Sequence, residues 1–91
     1  MRCRTLWRWE VWFDVLALTG DVPIEVSIYD LGGRQVREVY RELGSNGRYR
    51  VEWDGRGTYG ECAHPGMYVY RILVESDTEN AVCAGLVAIA Y

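Results

Sequence analysis

The stretch IEVSIYDLGGRQVREV, Ile24–Val39, decides the fold of this chain. Ile24, Val26 and Ile28 alternate with Glu25, Ser27 and Tyr29, a period of two that marks a half-buried strand. Gly32–Gly33 breaks the run, and β-favouring residues resume at once in RQVREVYREL (34–43). Two glycines between two such runs supply the positive φ that a tight primed hairpin turn demands. The spacing of Arg37 and Arg41 against Glu38 and Glu42 also suits a helix. The hairpin geometry favours a second strand.

Working outward, the same period recurs. In TLWRWEVWFDVLAL (5–18) one face carries Trp7, Trp9, Val11, Phe13 and Val15, and the other Arg8, Glu10, Trp12 and Asp14. This predicts a strand long enough to bend and serve two sheets. RYRVEWD (48–54) sets Tyr49, Val51 and Trp53 against Arg48, Arg50 and Glu52. GMYVYRILVES (66–76) sets Tyr68, Tyr70, Ile72 and Val74 against Met67, Val69, Arg71 and Leu73. The segment AVCAGLVAIAY (81–91) has no charge and is apolar on both faces, so a strand covered on both sides is expected there. TGDVP (19–23), GSNG (44–47) and SDTEN (76–80) punctuate these runs. The expectation is an all-β, Ig-like antiparallel β-sandwich of six or seven strands, one domain over residues 1–91.

With 91 residues, the chain has room for one modest core. Its net charge is −3, and all ten of its basic residues are arginine. An acidic total argues against a general nucleic-acid binder, which needs a basic surface. Arginine without lysine suits planar contacts at protein interfaces, although coding bias explains the same count. No apolar run is long enough to span a bilayer as a helix. The N-terminus is basic and then apolar, but Arg8, Glu10 and Asp14 interrupt it and no small-residue cleavage site follows. It reads as mature structure.

Candidate chemistry concentrates in WDGRGTYGECAHPGMYVYR, Trp53–Arg71. Cys62 and His64 could share an ion, but a structural zinc site needs a second pair, which is missing unless Cys3 or Cys83 folds in. A calcium loop starting at Asp54 would place Arg56 at its third position, where a cation opposes binding. A Cys–His nucleophile lacks an orienting third group and an oxyanion hole. No catalytic, cofactor-binding or metal residue is assigned. The stretch reads instead as a turn. Trp53 anchors the core, Asp54–Gly55 starts the reversal, Gly60 permits a second, and Pro65–Gly66 feeds the strand bearing Tyr68 and Tyr70.

Cys3, Cys62 and Cys83 are an odd set at long spacings. They allow one internal bridge with one thiol left over, bridges between subunits, or three reduced buried thiols. Most aromatics fall on inward faces and read as core rather than as a sugar-stacking platform. Trp12 is the exception, and Tyr29, Tyr40 and Tyr91 are also candidates for exposure. A lone small sandwich would normally wet its outer faces, yet Met67, Val69 and Leu73 are apolar, as is the strand holding Val87, Ile89 and Tyr91. Together with Trp12, these are the candidate interface.

The succession VSIYDLGGRQVREV, G-x-Y-x-V-x-W-D-G and G-x-x-x-x-P-G-x-Y-x-Y-R closely resembles the FlgD-type Ig-like domain of flagellar hook-capping proteins. It is similar, too, to C-terminal Ig-like and sorting modules of secreted bacterial proteins. The matching positions are Ile28, Tyr29, Asp30, Gly33, Val36, Trp53, Asp54, Gly55, Gly60, Pro65, Gly66, Tyr68, Tyr70 and Arg71. The resemblance implies a sandwich without catalytic residues, roles in assembly, display or attachment, and an extracellular or cell-surface location. The chain departs from that pattern in its Arg/Trp-rich N-terminus and its three cysteines. These departures predict a stand-alone subunit that docks onto copies of itself as a homo-oligomer or polymer, with candidate inter-subunit disulfides. A sorting module and a carbohydrate-binding module are the alternatives.

Overall fold

The computed structural model describes residues 9–16, 20–76 and 80–89. They form six strands: β1 (Trp9–Val15), β2 (Val22–Asp30), β3 (Gln35–Gly44), β4 (Gly47–Trp53), β5 (Gly66–Glu75) and β6 (Asn80–Ile89). Every pairing is antiparallel. One sheet has the order β3-β2-β5-β6, and the other is the pair β1-β4. The chain is thus an all-β antiparallel sandwich of six strands, with no helix among the described residues.

Alternation along each strand sets what lies between the sheets. Ile24, Val26 and Ile28 of the central strand β2 are fully buried, and from the opposite sheet Trp53 of β4 joins the cluster of Ile28 and Val51 that of Val26. One cluster joins Ile28, Trp53, Ala63, Tyr68, Val87 and Ile89, and a second joins Val26, Val51 and Ile72. Val39 and Tyr70 pack against both and make one continuous core. Trp53 and Tyr68 meet edge to face, with ring centroids 5.6 Å apart.

The two-glycine hairpin expected at Gly32–Gly33 is a three-residue turn instead. Gly33 N–H donates to the Asp30 carbonyl at 3.1 Å, Asp30 N–H donates to the Arg34 carbonyl, and only Gly33 takes positive φ, at 90°. Asp30 Oδ1 also accepts the Arg34 N–H at 2.9 Å, which fastens the turn from its side chain. The strand reading of 34–43 holds.

GSNG does more than reverse the chain, since it carries β3 out of one sheet into β4 of the other. A Cβ at Gly44 would lie 2.8 Å from Ile24 Cδ1 and against the end of the Tyr49 side chain, so a larger residue at the crossing has to displace both side-chain ends. Among the described residues β1 pairs only with β4, and the rest of the 5–18 run (5–8, 17–18) lies outside them. Ser27, expected on a wetted face, is buried at 1% exposure. It sits in register between Glu38 and Arg71 in the middle of the sheet, where long neighbouring side chains shade a small one.

The covered strand expected at 81–91 is an edge strand. Asn80 through Ala84 are all exposed, as are Val82 and Leu86 on the outer face. Only the C-terminal end of β6 reaches the inter-sheet core, through Val87 and Ile89. Among the described residues this last strand has a neighbour on one side only, and the two-stranded sheet is too narrow to roof its whole length.

Candidate functional site

Two features of this fold bear on function: the loop 54–65 and the outer face of β5-β6. The loop begins where Trp53, 1% exposed, donates its indole N–H to the Arg56 carbonyl at 2.8 Å. Asp54 Oδ1 accepts the Arg56 N–H at 3.0 Å, and Gly55 turns the chain at φ 80°. Arg56 and Cys62 then bridge antiparallel, with a miniature hairpin between them. In it Gly57 N–H donates to the Glu61 carbonyl, Gly60 N–H donates to the Gly57 carbonyl, and Gly60 has φ 83°. This is the hydrogen-bond pattern of the Asp30–Arg34 turn repeated.

The loop is docked rather than free. β3 carries register shifts against β2, and Val36 falls outside the pairing at one of them. Its carbonyl, released from the ladder, accepts the Thr58 N–H at 3.1 Å and the Thr58 Oγ1–H at 3.2 Å. Arg37 adds long hydrogen bonds to the Arg56 and Gly57 carbonyls and faces Asp54 across 3.6 Å. Tyr68 donates its hydroxyl to the His64 carbonyl and closes the loop's far end. Gly57 is confined by Glu61, whose carboxylate occupies the space a Cβ would need. Pro65 and Gly66 are exposed at the entry to β5.

These commitments describe what the loop's reactive groups can do. Cys62 is half-buried and partnered, His64 is exposed, and Asp54 is engaged by Arg56 and Arg37. Among the described residues no three His, Cys, Asp or Glu side chains gather as a metal site. A depression of about 160 Å³ opens beside the loop, lined by Arg37, Val39, Glu52, Trp53 and Asp54, and the Arg37–Asp54 pair lies across it. The tip carries Tyr59, 93% exposed, which the hydrophobic alternation used to read the strands does not reach because it lies in a turn. Cys83 is a free, exposed thiol on β6, and Cys3 lies outside the described residues.

The outer face of the four-stranded sheet divides in two. On its β5-β6 half, Met67 stands opposite Ala88, Val69 opposite Leu86, Arg71 opposite Ala84, and Leu73 opposite Val82. Met67, Val82 and Leu86 are exposed and Val69 and Leu73 are half-exposed. Arg71 is the one charged side chain among these pairs, and its guanidinium lies 5.0 Å from the Tyr29 ring, toward β2. The β2-β3 half carries Glu25, Tyr29 and Glu38. Of the sequence-derived interface set, Met67, Val69 and Leu73 belong to the apolar half. Val87 and Ile89 are core, at 2% and 7% exposure, because they point inward over Trp53 and Ala63. Tyr91 lies outside the described residues. Val82 and Leu86 replace them, since in a period-two strand they share the opposite face.

Trp12 is exposed on the back of the β1-β4 sheet, as its alternation predicts, but in different company. The Arg50 guanidinium sits 5.8 Å from its ring, and its indole N–H donates to Glu10 Oε1 at 3.1 Å. Arg50 also pairs with Glu10 and Glu52, and Arg48 with Asp14 at 3.0 Å. The hydrogen bond from Trp12, and then that from Arg50, hold the Glu10 carboxyl below its ordinary pKa. Pairing with Asp14 raises the Arg48 pKa. This face is an ion-pair lattice with one indole in it.

No family model, no curated protein and no solved structure matches this chain.

Proposed function

We propose that the protein is a non-enzymatic structural subunit that self-associates into a filament, tube or surface assembly through the outer face of β5-β6. The carrying observation is the apolar half-sheet: Met67, Val69 and Leu73 face Ala88, Leu86 and Val82, and the one intervening cation leans over Tyr29. A contiguous apolar patch of this kind on a small soluble domain marks an association surface. The engaged state of Cys62 and Asp54 supports a structural rather than a catalytic loop. The resemblance to FlgD-type Ig-like domains of exported proteins supports assembly outside the cell. A sugar platform at Trp12 is not favoured, since the Arg50 guanidinium and the Glu10 carboxylate hold that indole and, among the described residues, no second aromatic shares its face.

The test is sedimentation velocity over a wide range of protein concentration, with electron microscopy of the most concentrated sample. Average mass should rise with concentration, and Leu86→Glu combined with Val69→Glu should return the protein to a folded monomer. A monodisperse wild-type monomer throughout the range would sink the reading.

A further inference from the structure

The two edges of the four-stranded sheet are built differently. Along β3 the pairing with β2 slips twice, and Arg37, Glu38, Arg41 and Glu42 follow within eight positions. Loop 54–65 is hydrogen-bonded to its Val36 carbonyl. Bulges, charges and a covering loop are the devices that prevent an edge from pairing with another chain. Among the described residues, β6 has none of them. Its ten residues pair with β5 without a register shift, they include no charge and no proline, and Asn80–Ala84 are exposed one after another. Among the described residues no strand pairs with its other edge.

We infer that this edge pairs antiparallel with β6 of a second copy, about a two-fold axis perpendicular to the sheet, giving one continuous eight-stranded sheet. The inference rests on the self-association proposed above and adds to its outer-face contact a seam at the β6 edge. A second copy fits because self-pairing of an uncharged strand sets no like charges opposite one another, whereas a charged edge such as β3 has to find an opposite-charge register. An axis perpendicular to the sheet keeps inner faces together and outer faces together. In the register centred on Ala84, Val82 stands opposite Leu86 of the second copy, and Leu86 opposite its Val82. The apolar half-sheet then runs unbroken across the seam and doubles its width. Cys83 stands opposite Gly85 of the second copy, which places the two Cys83 residues on a diagonal about 7–8 Å apart.

The experiment uses the full chain, a short bismaleimide that spans such a diagonal, and sedimentation velocity. The expected result is a dimer that the reagent cross-links, with no cross-link in Cys83→Ser. Ala81→Lys leaves the outer apolar rows intact and puts an ammonium group in the seam, so it should lose both dimer and cross-link. If the wild type associates but Cys83 does not cross-link and Ala81→Lys associates equally well, edge pairing is overturned while self-association stands. A wild type that stays monomeric overturns both. Should Ala81→Lys misfold by circular dichroism, cross-linking in the unaltered β6 decides the matter alone.

Discussion

Gly33 and Gly60 occupy equivalent places in two turns of the same design, each the last of three residues and each in the left-handed region. A side chain costs about 1–2 kcal/mol there. Gly33→Ala and Gly60→Ala should therefore each lower stability to urea by about that amount. Gly32, with no positive φ, meets only Asp30 Oδ1 at 3.4 Å where a Cβ would be, so Gly32→Ala should be neutral or slightly stabilising. Equal losses at Gly32 and Gly33 would contradict the turn described. Trp53→Ala should cost about 3–5 kcal/mol, because it empties the largest buried side chain and removes the donor to Arg56. For Glu10 the sign follows from its lowered folded-state pKa. The unfolded chain takes up the proton at higher pH, so the contribution is complete above the unfolded-state value and is lost as pH falls through the folded-state one. The stability gap between wild type and Glu10→Gln should close on acidification through that window. The effect should be small and salt-sensitive, since the group is exposed on the back of the β1-β4 sheet.

At the scale of elements, the irregularity in β3 and the loop 54–65 form one construction. The slipped register at Val36 frees a carbonyl, and Thr58 takes it with both its amide and its hydroxyl. Thr58→Val keeps the shape and removes one of these bonds, at a cost of about 0.5–1.5 kcal/mol. Amide exchange should accelerate locally across 56–62 rather than throughout the sheet. Uniform acceleration would mean that the loop is not separately docked. Gly85 is a second element-level device. A Cβ there would come within 2.5 Å of Tyr70 Cε1 and Cζ, so the ring covers a glycine at the sheet's edge. Gly85→Val should displace Tyr70 from both core clusters and destabilise the chain, read as a lower urea midpoint.

For the whole molecule, the distribution of polarity matters more than its total. The back of β1-β4 is laced with ion pairs, the β3 edge is charged and covered, and the β5-β6 half-sheet with its edge is apolar and, among the described residues, uncovered. Association is therefore expected to strengthen, or at least persist, as salt rises. Apolar burial resists screening, whereas an assembly held by the β1-β4 ion-pair face would weaken. Sedimentation at low and high salt separates the two.

The sequence alone revealed β1, β2, β4 and β5, their faces and the anchoring of Trp53, because a period of two runs along each and alternate residues of a strand fall on opposite faces. It also placed Met67, Val69, Leu73 and Trp12 outward by the same rule. It misjudged β6, because an uncharged run reads alike whether it is roofed on both sides or lies at an edge with nothing beside it. That difference depends on neighbours distant in sequence. Pairing alone placed β6 last in its sheet, turned Val87 and Ile89 into the core and left Val82 and Leu86 outside. The slipped register that holds Thr58, and the shading of Ser27, are likewise relations between strands, and only the tertiary structure decides them.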